Sequence, residues 1–179
     1  MANRNNLVIS VMDRDRPGIV AEVTEGISSL GGNLADLRES VLCGYFTMIL
    51  VVDFPVEVTV EQVQKALATG KTSHVSVEQV EGMLDEVDRS EQTYILSAVA
   101  KDRVGLVAQV SRFCYDRGVN ILDLASYVDG DQYTMMLQLE FPDIRKLETF
   151  RTELSDFGKA SGLNLVLQHN DIFRATNEI

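Results

Sequence analysis

Acid, cation and bare backbone stand close together at two places in this chain. Asp15 and Arg16 precede Gly18, and Asp102 and Arg103 precede Gly105. Asp13 adds a carboxylate two residues before Asp15, a pairing that invites an acid–base reading. No other part of a catalytic apparatus accompanies it. His74 and His169 fall in no motif, the serines form no nucleophile arrangement, and no glycine loop is built to cradle phosphate. Zinc needs clustered cysteine and histidine ligands, and these are scattered. The expectation is a binding protein that is not an enzyme, with no catalytic residues, no cofactor and no metal.

The elements that must position these groups are announced by a repeat. Residues 15–55 and 102–142 align without a gap at an offset of 87, with 16 of 41 pairs identical. Asn33 matches Asn120 and Pro55 matches Pro142; Ile19/Leu106 and Leu34/Ile121 exchange one apolar residue for another. One structural unit used twice is implied, so function is to be sought at positions that both copies share or at the seam between them. Each unit opens on an apolar strand, Leu7 to Met12 and Tyr94 to Val99. A polar loop follows, then a helix. Pro17 suits a first helical position, and Asp15 is placed at or next to the cap. Ile19, Val23, Ile27 and Leu30 make one helical face, matched by Leu106, Val110 and Cys114. Gly31 and Gly118 fit the left-handed position past the helix end.

Two strands come next, joined by a tight turn: Asp129-Gly130-Asp131 separates Ile121–Val128 from Gln132–Phe141, and Cys43-Gly44 holds the equivalent place. Cys43 is therefore a hairpin-tip residue and Cys114 a core residue, two unrelated free thiols. Thr59 with Gln62 forms a capping box for a second helix, and Ile144, Leu147, Phe150 and Leu154 form the stripe of its counterpart. Asn164–His169 is a closing strand, with a less distinct equivalent near Val75–Val80. The acidic segment 82–92 is expected to be the linker between a first domain, 1–84, and a second, 91–179. The order is β-α-β-β-α-β twice: an α+β, ferredoxin-like sandwich with antiparallel sheets and helices on one face. In the third strands, Phe46, Met48, Leu50, Val52 and Phe54 face the core, as do Tyr133, Met135, Leu137, Leu139 and Phe141. The opposite face carries Thr134, Gln138 and Glu140 in the second unit but Thr47, Ile49 and Val51 in the first. The third strand of the first unit therefore reads as buried on both faces, its open side packed on the second unit or on another chain.

The chain has 179 residues, 45% hydrophobic and 24% charged, with a net charge of −11. An acidic surface repels the phosphate backbone that supplies most nucleic-acid affinity, so no direct nucleic-acid binding is expected. An RNA-recognition domain of similar outline would need basic residues among aromatics on a central strand, which neither copy has. No apolar run approaches the ~18 residues that span a bilayer, and the first ten residues lack the pattern of a secretion signal. The expectations are no membrane and a cytoplasmic location.

A ferredoxin-like unit with DRPG after its first strand and GGN after its first helix resembles the ACT domain, a small regulatory module that binds amino acids. The second copy has DRVG and GVN, with Val104 in place of the proline. A free-standing pair of such units is similar to the glycine cleavage system transcriptional repressor family. That resemblance implies a non-catalytic regulator that binds a small amino acid and modulates a protein partner, a transcription factor of amino-acid or glycine metabolism. It also implies a homodimer with strands side by side, ligands sitting where the loop after the first strand meets the interface. Carried over by position, the ligand-binding residues are Asp15, Arg16, Gly18, Ile19, Asn33 and Leu34, then Asp102, Arg103, Gly105, Leu106, Asn120 and Ile121. The physical reading agrees: helix N–H groups suit a carboxylate, glycine admits close approach to the backbone, and an asparagine amide serves ammonium and carboxylate alike. Plainer roles stay open. The aspartates could only cap their helices, the glycines only allow close helix–sheet contact, the asparagines only occupy turns, and the arginines could be structural. The alternative function is a protein-interaction module with vestigial ligand sites.

Overall fold

The computed structural model describes residues 4–68, 73–80, 93–141 and 143–177. The chain divides into two compact units, residues 1–85 and 86–179. The first runs β1 (Arg4–Arg14), α1 (Ile19–Ser29), β2 (Asn33–Leu42), β3 (Tyr45–Pro55), α2 (Val60–Leu67) and β4 (His74–Gln79). The second runs β5 (Thr93–Lys101), α3 (Leu106–Tyr115), β6 (Asn120–Asp129), β7 (Gln132–Glu140), α4 (Leu147–Ser161) and β8 (Asn164–His169). Both sheets are four-stranded and antiparallel, ordered β2-β3-β1-β4 and β6-β7-β5-β8. This is the ferredoxin-like βαββαβ architecture, with one addition: α5 (Asn170–Asn177) follows β8 and touches β8 and β5.

Alternation along the strands and periodicity along the helices build each core. Phe46, Met48, Leu50, Val52 and Phe54 are buried against Ile19, Val23 and Ile27 of α1 and Val63 and Leu67 of α2. Met135, Leu137, Leu139 and Phe141 meet Leu106, Val110, Phe113 and Cys114 of α3 and Leu147, Phe150 and Leu154 of α4. The Thr59–Gln62 capping box forms, Gln62 N donating to Thr59 Oγ1 at 3.3 Å and Thr59 N to Gln62 Oε1 at 2.8 Å. Cys43 is exposed and Cys114 buried; burial pushes the Cys114 thiol up to about 11, so it stays protonated and inert.

Several expectations need correction. Neither Pro17 nor Asp15 starts the first helix. Gly18 is its N-cap at φ 96°, α1 begins at Ile19, and no side chain caps it. The reason is conformational: the chain turns through a left-handed glycine, which moves the helix start past the proline. The stripe of α4 begins at Leu147, because a 3-10 turn over Ile144–Lys146 precedes it and leaves Ile144 38% exposed. The helices of the first unit leave the outer face of its β3 to whatever lies outside that unit, with Ile49 51% exposed and Val51 half-buried. The anticipated linker 82–92 and Pro142 lie outside the described residues.

The edge strands β2 and β6 share an irregularity. Leu34 pairs with Val52 and Asp36 with Val51, leaving Ala35 as an extra residue; Leu122 is extra in the same way in β6. The two units thus match in this defect as well as in their regular pairing.

Candidate functional site

The loop between the first strand and the first helix is built alike in both units. Asp15 N donates to Gly44 O at 3.0 Å, and Asp102 N to Asp131 O at 2.8 Å. Each bond ties the loop to the hairpin turn of its own sheet. Gly18 (φ 96°) and Gly105 (φ 88°) then swing the chain into its helix. A Cβ at Gly18 would meet only Glu22 Oε1, at 3.7 Å, and one at Gly105 would meet nothing within 4 Å. Close helix–sheet contact is therefore not what requires these glycines; the backbone angle is. The space above them is open, and the first-turn N–H groups of α1 and α3 have no side-chain cap. Asp15 and Asp102 are exposed, and among the described residues their carboxylates hold no hydrogen bond or ion pair.

The arginines differ. Arg16 makes a two-pronged pair with Glu22, both N–O distances 2.6 Å, and this bond raises the Arg16 pKa above its ordinary value. Arg103 donates from Nη2 to Gln109 Oε1 at 2.9 Å and to Ser161 O at 3.2 Å. Its positive charge therefore has no carboxylate in those bonds.

Beside the first loop lies a cleft of about 580 Å³ between the start of α1 and the end of β2. Asp15, Arg16, Gly18 and Ile19 line it, together with Val20, Thr24, Glu39, Val41 and Phe46. Sequence reasoning missed Glu39, Val41 and Phe46. The signal for them was alternation: Glu39 and Val41 fall opposite Met48 and Phe46, on the helix side of the sheet, but on an edge strand that the helices do not cover. Asp13 is no partner for Asp15 in acid–base work. It is 5% exposed, its Oδ1 accepts from Arg14 N at 2.7 Å, and its Oδ2 accepts from Ser73 Oγ at 2.6 Å.

Asn33 and Leu34 lie elsewhere. Asn33 opposes Asp53, whereas the hairpin turn follows Leu42; nine residues of strand put them ~30 Å apart. Asn120 and Ile121 stand likewise at the far end of β6, and the Asn120 amide donates to Glu140 Oε2 at 3.2 Å. Within one unit the structure thus brings together the first four residues of each expected set and leaves the last two at the opposite end of an edge strand. Among the described residues no group of three or more His, Cys, Asp or Glu is placed to hold a metal ion, and no helix is long and apolar enough to cross a membrane.

Comparison with known proteins agrees with this architecture. Residues 5–78 and residues 94–158 each match a family model described as ACT domain. A UPF0237 protein of Clostridium acetobutylicum is 28% identical over 86 residues, 48% of this chain and 97% of the relative. One from Methanosarcina acetivorans is 30% identical over 87 residues, 48% of this chain and 95% of its own length. Among solved structures, a protein of unknown function from Galdieria sulphuraria superposes with a TM-score of 0.77 at 22% identity, covering 93% of this chain and 99% of that one. A protein provisionally named a glycine cleavage system transcriptional repressor gives 0.67 at 17% identity, covering 92% and 96%. At these identities the two structures speak for the fold alone.

Proposed function

Because the chain belongs to the ACT domain family, with two such domains in tandem, we propose that it is a non-catalytic regulator that binds an amino acid at its helix-start loops and passes the signal to a protein partner. One observation carries the reading. Both units present the same open loop, with a left-handed glycine, uncapped helix N–H groups and an unpaired aspartate side by side. Such N–H groups suit a carboxylate, and the aspartate suits an ammonium, which together are the ends of an amino acid. The far placement of Asn33 and Asn120 fits a composite site. An antiparallel neighbour laid along the free edge of β2 or β6 would bring its own asparagine to the loop. A homodimer of this chain offers that arrangement, and a partner transcription factor of amino-acid or glycine metabolism is the proposed target.

Engagement of Asn120 with Glu140 and of Arg103 with Ser161 favours a second reading for the second unit, in which its loop serves protein contact alone. A thermal-shift screen of the full chain against the twenty amino acids separates the two. A ligand at 100 times its dissociation constant should stabilise by about 2.7 kcal/mol, and Asn33→Ala or Asn120→Ala should abolish the shift. No shift with any amino acid would leave the contact module. Light scattering on the same samples tests the dimer.

A further inference from the structure

We propose that the cleft of the first unit is selective for a basic amino acid, one whose aliphatic chain ends in an ammonium or guanidinium, and that the second loop is not. This rests on the amino-acid-binding reading and adds the class of side chain. Along the first cleft Asp15 and Glu39 carry carboxylates with no hydrogen bond or ion pair among the described residues, while Arg16, the cation there, is already matched by Glu22. The cleft therefore holds two carboxylates in excess of its cations. At the equivalent positions of the second unit Glu22 becomes Gln109 and Glu39 becomes Ser126. There Asp102 and Arg103 balance, and no excess remains.

The walls of the first cleft fit the rest of such a ligand. Val20 and Val41 are 42% and 49% exposed, apolar surface for an aliphatic stem to cover. Glu39 lies two residues from Val41 on the same side of β2, ~7 Å along the strand, so a four-carbon chain laid over Val41 would carry its cation toward Glu39. A negative cleft with apolar walls attracts a cation on an apolar stem and rejects an acidic side chain. The observation that carries this is the cleft with its unpaired Glu39, not the helix start, which both units share.

Isothermal titration calorimetry of the full chain against the twenty amino acids tests it, with L-lysine, L-arginine and added L-ornithine set against L-norleucine, which keeps the four-carbon stem and lacks the cation. The basic amino acids should bind about tenfold or more tightly than norleucine, as befits a charged hydrogen bond. Glu39→Gln should remove that preference while leaving the circular dichroism spectrum unchanged, since Glu39 is exposed and unpaired. Norleucine binding as well as lysine, or lysine binding unaltered by Glu39→Gln, would overturn the inference. Heat with small neutral amino acids only would also overturn it and leave the sensor reading standing. No heat with any of the twenty would overturn both.

Discussion

Gly26 and Phe113 occupy the same place in the two units, and they pack their helices in opposite ways. At Gly26 a Cβ would stand 2.8 Å from Leu67 Cδ2 and 3.3 Å from Ala66 O, so α1 lies directly on α2. Phe113 instead stacks on Phe157 at 4.5 Å and meets Phe150 edge-on at 5.3 Å, with the Arg117 guanidinium 3.6 Å over its ring. A second exchange runs beside it. Gly32 has Phe54 and Ile27 within 2.9 Å of where its Cβ would be. In the other unit Val119 fills that position, buried, and Cys114 replaces the larger isoleucine. Volume removed on one side of a contact is restored on the other, which keeps packing density constant. The loops behave differently: Gly18 and Gly105 keep their angle and Asp15 and Asp102 their tether, while their neighbours change, Pro17 to Val104, Glu22 to Gln109 and Glu39 to Ser126. What the copies hold in common is backbone geometry, and what fills it has diverged.

The contrast between the units is sharpest at Phe113, and a substitution there should have the greatest effect. Phe113→Ala should cost ~3–5 kcal/mol in urea denaturation, with hydrogen exchange accelerating in the second unit and not the first; a loss below ~1 kcal/mol would mean the aromatic cluster is not what spaces α3 from α4. Gly32→Val should destabilise by ~1–3 kcal/mol through overpacking, and adding Ile27→Cys should recover part of that loss. Equal stability of the single and double variants would refute the traded volume. Gly18→Ala and Gly105→Ala should each cost ~1–2 kcal/mol, because both angles are left-handed. Thermal melts showing a cost in one unit only would mean that the loops do not share a backbone. The smallest effect is Glu22→Gln, which breaks a partly exposed ion pair and should leave the urea midpoint nearly unchanged. It should nonetheless bring the first loop closer to the charge of the second, readable as a weaker preference for lysine over norleucine.

The fold was legible because its signals are periodic. The alternation from Phe46 to Phe54 and the spacing from Ile19 to Ile27 each report one face of one element, and the repeat reports the element order twice. Asn164–His169 came out as the strand observed, and the strand expected near Val75–Val80 runs His74–Gln79. The start of α1 was not legible, since Pro17 and Asp15 are good helix-start residues and only the φ of Gly18 decides against them. The cleft was less legible still. Glu39 and Val41 become its walls only because β2 is an edge strand, and strand order is not written in any local pattern. The separation of Asn33 from Asp15 follows from the same topology: Asn33 begins β2 at one end of the sheet, and Asp15 is tied to the hairpin turn at the other.

The extra residue in each edge strand has a bearing on Asn33 and Asn120. With Ala35 left out of the pairing, Asn33 opposes Asp53 and so shares the sheet face of Ile49, away from the helices. Were Ala35 paired in regular step after Asp36, Leu34 would fall opposite Asp53 and Asn33 opposite Phe54, turning the amide toward the hydrophobic interior. The two registers differ by a single step, and they exchange an apolar side chain for an amide on the helix side. The observed phase puts Leu34, 40% exposed, on the helix side and turns Asn33 to the other. Ile121 and Asn120 stand in the same relation across Leu122. Parity, and not only residue type, decides which way each asparagine looks, and one extra residue in an edge strand sets that parity.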